Sequence, residues 1–164
     1  MGDTLILGVG NTLLTDEGAG VHAMTYLQRE GDLPDNVRFL DAGTLSFVLA
    51  DDIASAANLI IFDAAQLDAD AGEVCVFEGP ALDEFLTSGR RSVHEVGFAD
   101  LMDIARLQDC LPRRRALIGI QPGDFGWGSE PGNAVRAALP RAAARARELL
   151  ADWAAESMPE VVNQ

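Results

Sequence analysis

The stretch TLILGVGNTLLTDEGAGV, Thr4–Val21, sets the fold and poses the question of function together. Its first six residues are an apolar run that stops at Gly-Asn, the pattern of a buried strand. From Glu17 onward, Val21, Ala23, Met24, Tyr26 and Leu27 fall on one face of a helix that should end near Gly31. Between strand and helix lies a glycine-rich turn of the kind that cradles phosphate, yet it delivers two acids, Asp16 and Glu17. A dinucleotide-binding turn needs a third glycine where Leu13 stands, and a phosphate loop needs a lysine, which the chain lacks altogether. Two carboxylates at a helix start also take the dipole position a phosphate would use. Only Asp41, placed like a ribose-binding acid, speaks for a nucleotide.

The rest of the chain repeats the strand–helix alternation. Strands are expected at Val37–Gly43, Asn58–Ala65, Glu73–Gly79 and Arg115–Pro122, with a helix over 45–56 between the second and third. The short turn holding Asp68, Asp70 and Gly72 predicts that the third and fourth strands are antiparallel neighbours. Ser92 and Glu95 have capping-box spacing ahead of a helix whose apolar stripe is Phe98, Leu101, Met102 and Ala105. A glycine-rich loop, GDFGWGSEPG, leads to a last helix that Pro140 should kink or split, and the tail over 154–164 should fray. The expected fold is one α/β domain over 1–164: a three-layer sandwich, a mostly parallel twisted sheet of about five strands with helices on both faces.

At 164 residues and 48% hydrophobic content the chain is long enough for a core of its own. Cys75 and Cys110 follow no metal-binding spacing and read as reduced thiols. No apolar run approaches the roughly 20 residues of a membrane span, and the start lacks the features of a signal peptide, so a cytoplasmic location is expected. Residues 1–89 carry 16 acids against 2 arginines, whereas residues 90–164 carry 10 of each. The net charge of −14 therefore belongs to the first half. Such a surface argues against nucleic acid and anionic membrane as partners.

In open α/β sheets, sites form beyond the carboxyl ends of the strands. Asp41 ends the second strand, Asp63 the third, and Glu17 lies just past the first, so parallel strands would bring these acids to one sheet edge. His94 adds an imidazole from another segment. Plainer roles exist for each: helix-start stabilisation for Asp16 and Glu17, a strand end for Asp63, a turn for Asp41, a partly buried polar residue for His94. His22, five residues from Glu17 and about 140° around the helix, is left out of the group. Together, oxygen and imidazole ligands from separate elements suit a borderline divalent ion such as nickel or zinc.

The chain resembles the hydrogenase maturation endopeptidases, which trim the large subunit of nickel–iron hydrogenases. The family pattern G-x-G-N-x-L-x-x-D-E-G-x-G is met by Gly8, Gly10, Asn11, Leu13, Asp16, Glu17, Gly18 and Gly20. Asp41–Thr44 is similar to its D-x-G-T motif, Asp63 to its acid after the third strand, His94 to its histidine, and IGIQP to its last-strand signature. The resemblance covers about residues 4–150. It implies an endopeptidase that removes the C-terminal extension of a nickel-loaded large-subunit precursor. Glu17, Asp63 and His94 would recognise the nickel, which the precursor supplies. Glu17, Asp63 and Asp41 are the candidate catalytic groups, with Asp41 the candidate for activating water. A soluble, cytoplasmic monomer is expected. A nickel-binding maturation factor that does not cut, or a nucleotide-binding α/β protein, are the alternatives.

Overall fold

A computed structural model describes residues 2–44, 48–88 and 98–157. Its five strands are β1 (Thr4–Val9), β2 (Val37–Gly43), β3 (Asn58–Ala64), β4 (Val74–Glu78) and β5 (Arg114–Ile120). They form one sheet in the order β2-β1-β3-β5-β4, parallel except for β4. Five helices cover it: α1 (Ala19–Glu30), α2 (Leu49–Ser55), α3 (Pro80–Thr87), α4 (Phe98–Leu107) and α5 (Asn133–Ser157).

Burial explains the layering. All of β1 and nearly all of β3 are buried, as expected of parallel strands covered on both faces. Ile6, Ile60, Phe62 and Ile118 point to one side, where Ala23 and Leu27 of α1 and Ala142, Ala146 and Trp153 of α5 meet them. Leu5, Leu7, Leu59, Ile61 and Leu117 point to the other, against Ile53 of α2, Leu82 and Phe85 of α3, and Leu101 and Met102 of α4. The period-2 alternation of the strands thus divides the core into two apolar layers. The expected three-layer sandwich is what forms.

Several local expectations need correction. β3 and β4 are not neighbours: β5 inserts between them and β4 pairs antiparallel with β5. The linker after β3 wraps the end of β5 instead of turning back. Ala65 N–H reaches Ile120 O (3.0 Å), Gly72 N–H reaches Gln121 O (2.8 Å), and Leu67 N–H reaches the Gln121 side chain (2.7 Å). β4, only partly buried, takes the sheet edge, while the more deeply buried β5 takes the interior place. α3 was not anticipated, although Pro80 at its start after Gly79 is a helix-opening signal. α5 is one helix through Pro140, not two, and runs on to Ser157. Pro140 lies on the exposed side, so the carbonyl left without its helical donor, that of exposed Arg136, faces water. Cys110 is exposed and Cys75 half-buried, both as free thiols. The capping pair Ser92 and Glu95, His94, and the tail 158–164 lie outside the described residues.

Candidate active site

The carboxyl ends of β1, β2 and β3 share one edge of the sheet, and the turn after β1 is built against it. Gly10 donates its N–H to Gly43 O at the end of β2 (2.8 Å). Its φ of +143° and its contact with the next turn both require glycine, since a Cβ here would lie 2.1 Å from the carbonyl oxygen of Glu17. The chain then makes a 3₁₀ turn, Thr15–Gly18, which packs against β3 before α1 begins. Gly20 is pressed onto the strands still more closely: a Cβ would lie 2.2 Å from Phe62 O and 2.3 Å from Val9 O. The acid-bearing turn is thereby clamped to the last residues of β1 and β3.

That clamp places half-buried Glu17 beside the end of β3, where Asp63 is only 1% exposed. Asp63 follows Phe62, the residue whose carbonyl touches Gly20, and is level with Gly119 of β5. It is therefore no exposed strand end. By alternation along β3 it faces the side covered by α2, α3 and α4. Asp41 is also on this edge, two strands away, about 10 Å from β3 by strand spacing. It is exposed, and its Oδ1 accepts the Gly43 N–H (2.9 Å), closing a turn. The β1–β2 register shifts here, from Gly8 opposite Asp41 to Val9 opposite Gly43. Such an irregularity re-aims the end of a strand.

Asp16 has a different task from its neighbour. It is buried, 2% exposed, and not in the first turn of α1, which holds no acid. Its Oδ2 accepts the N–H groups of Gly123 (2.7 Å) and Asp124 (2.8 Å), and its Oδ1 that of Gly132 (2.6 Å). The carboxylate is a knot for the loop between β5 and α5. Thr15 completes the knot: its Oγ1 donates to Asp124 O (2.7 Å) and its N–H to Gly128 O (2.9 Å). Thr15 keeps φ at +40°, a strained value for a β-branched residue, which these bonds hold in place.

The same bonds dispose of phosphate. In the turn, the N–H groups of Gly10, Leu13, Leu14, Thr15, Asp16 and Glu17 all go to protein oxygens, those of Gly43, Asn11, Gly128, Asp124 and Leu14. A phosphate loop works by leaving such groups free to converge on the ligand. These glycines serve close packing.

His22 lies under the turn, half-buried, its Nε2 near Gly18 and without a hydrogen-bond partner among the described residues. Burial pulls its pKa below the usual histidine value; nearby Glu130 raises it and Arg136 lowers it. Sequence spacing separated His22 from the acids and gave no sign of the Asp16 knot, whose partners lie more than 100 residues away.

The candidate site is thus a set of carboxylates at the carboxyl edge of a mostly parallel α/β sheet, carried by a turn in which six N–H groups are bonded within the protein. Comparison with known proteins gives this class its family. The profile described as hydrogenase maturation protease matches residues 21–148. A hydrogenase expression/formation protein HupD of Rhizobium leguminosarum is 35% identical over 150 residues, 91% of this chain and 74% of that protein. HoxM of Azotobacter vinelandii is 36% identical over 149 residues, 90% of this chain and 72% of its own length. Among solved structures, the hydrogenase maturating endopeptidase HybD of Escherichia coli superposes with a TM-score of 0.84 at 30% identity, covering 92% of this chain and 93% of that one. The chain belongs to the hydrogenase maturation protease family and is a peptidase.

Proposed function

We propose that this peptidase removes the C-terminal extension from the nickel-loaded large-subunit precursor of a nickel–iron hydrogenase. In this reading Glu17, Asp63 and His94 meet the nickel that the precursor carries. The observation that supports it is the close packing at Gly10 and Gly20, which holds the Glu17 turn against β1 and β3 at Val9 and Phe62, the residue before Asp63. Fixed carboxylates from separate elements, with an imidazole, suit a borderline divalent ion. Three protein ligands leave coordination positions for groups of the substrate. Such a site binds a bare ion poorly and gains affinity when the precursor completes the shell, so the metal acts as the recognition mark. Hydrolysis then needs a polarised scissile carbonyl and a water stripped of its proton. The substrate's nickel can polarise the carbonyl. Asp41 is the candidate base, since one of its oxygens closes the turn and leaves the other for a water.

The test is the mass of the large-subunit precursor after incubation with the protein, nickel-loaded in one sample and metal-free in another. Loss of a C-terminal peptide from the loaded sample alone is expected, and Glu17→Gln should abolish that loss without unfolding the chain. Cleavage of both samples would remove nickel from the recognition step. Asp41→Asn retains a turn-closing oxygen but no base. It should slow single-turnover cleavage about a hundredfold or more. An unchanged rate would leave Asp41 with its turn alone.

A further inference from the structure

We infer that Leu13 and Trp127, with Phe125 beside them, form a seat for an apolar stretch of the substrate polypeptide next to the cutting site; this rests on the function proposed above. Trp127 is 86% exposed, Leu13 62% and Phe125 50%. Large apolar groups grouped on a surface mark interaction sites far more than isolated ones do. Here the grouping is built by the backbone. Leu14 and Gly128 form a parallel bridge, with Gly128 N–H on Leu13 O (3.0 Å) and Thr15 N–H on Gly128 O (2.9 Å). The bridge joins the two loops one residue after Leu13 and one after Trp127, so these exposed side chains belong to adjoining segments.

The seat is held firmly. Asp16 ties the loop at Gly123, Asp124 and Gly132, on both sides of Trp127, and the Asp124 carboxylate accepts the Gly126 N–H (3.0 Å) to shape the turn around Phe125. A buried charge and a strained Thr15 are thus spent on holding exposed aromatic groups in fixed positions. The occupant follows from where the seat stands. Leu13 and Glu17 share one turn, four residues apart, so an extended chain lying on Leu13 comes within about 13 Å of Glu17. A protein substrate that reaches Glu17 from this side of the turn meets the rim. The two loops, 10–18 and 121–132, contain acids and no arginine or lysine, so the seated stretch is apolar and free of acidic residues. An exposed indole also accepts a cationic side chain over its face.

The experiment measures binding of the nickel-loaded large-subunit precursor, together with single-turnover cleavage, for the wild type, Trp127→Ala, Leu13→Ser and a control, Leu107→Ser. Leu107 is 87% exposed at the end of α4. Trp127→Ala and Leu13→Ser should each raise Kd and KM about tenfold or more, with the rate at saturating precursor within about twofold of the wild type. Leu107→Ser should change none of these, and all four proteins should melt alike. Wild-type Kd and KM in both seat variants would overturn the seat while leaving the peptidase intact. An equal loss in Leu107→Ser would also overturn it, as unspecific adhesion. If the wild type binds the precursor through Trp127 without cutting it, the seat stands and the proposed cleavage falls. No binding by the wild type would remove both.

Discussion

Two adjacent acids in this chain have different settings, and the difference begins with how deeply each is buried. Asp16 is buried and accepts three backbone N–H groups, whereas Glu17, one residue on, is half-buried at the sheet edge. Hydrogen bonds to an ionised acceptor are worth about 1.5–3 kcal/mol each, and buried donors left unpaired cost a similar amount. Asp16→Asn keeps one carbonyl oxygen for two of the donors, but its NH₂ must face the third. The expected loss is about 3 kcal/mol of stability, read as a lower urea midpoint with unchanged slope. Because the same knot holds the Trp127 loop, precursor binding should weaken as well. Glu17→Gln keeps the length of the side chain and one of its oxygens at a half-buried position, so it should cost less stability than Asp16→Asn. A large stability loss in Glu17→Gln with none in Asp16→Asn would reverse these two assignments.

At the scale of the element, Gly20 shows how tightly the first helix is joined to the sheet. A glycine near an ordinary helix start is improved by alanine, by as much as about 1 kcal/mol. Here the added Cβ would sit 2.2 and 2.3 Å from the carbonyl oxygens of Phe62 and Val9, both on buried strands that cannot give way. Overpacking therefore wins, and Gly20→Ala should destabilise the fold by about 3 kcal/mol, with a lower urea midpoint as the readout. The spacing of this glycine was legible in the chain, as were β1, β2, β3 and β5 and the apolar stripes of α1 and α4, because each is written in local periodicity. The partner of β4 was not. A short acidic turn looks like a hairpin wherever it occurs, and only the relative burial of β4 and β5 decides which takes the edge. α3, eight residues long, offers too little periodicity to declare itself beyond its opening proline. That Asp41 and Asp63 lie at one sheet edge, with Glu17 just past β1, followed from strand direction alone, but the Asp16 knot and the Leu14–Gly128 bridge depend on contacts across more than 100 residues.

For the whole molecule, pH sets a contest between net charge and one half-buried imidazole, that of His22. The chain carries −14, so protonating carboxylates on acidification relieves self-repulsion and favours the compact state. Carboxylates in model peptides titrate near 4, however, well below the interval from pH 7 to 5.5. Asp3 is held lower still by its bond to Arg38 (2.9 Å), and its contribution is lost only in stronger acid. His22 responds within the window. Burial lowers its folded pKa, with Glu130 raising it and Arg136 lowering it. The unfolded chain therefore binds the proton more readily than the folded one. Stability is full above about pH 6.5 and falls as pH drops from there towards the folded pKa, by at most about 1.4 kcal/mol per pH unit. The urea midpoint should accordingly decline between pH 7 and 5.5 despite the relief of charge. His22→Leu removes the titrating group together with an Nε2 that has no partner among the described residues, so its midpoint should be flatter over that interval and no lower at pH 7. A wild-type midpoint that rises on acidification would show instead that repulsion among the acids of the first half outweighs the imidazole. An equally steep fall in His22→Leu would assign the pH response to another group.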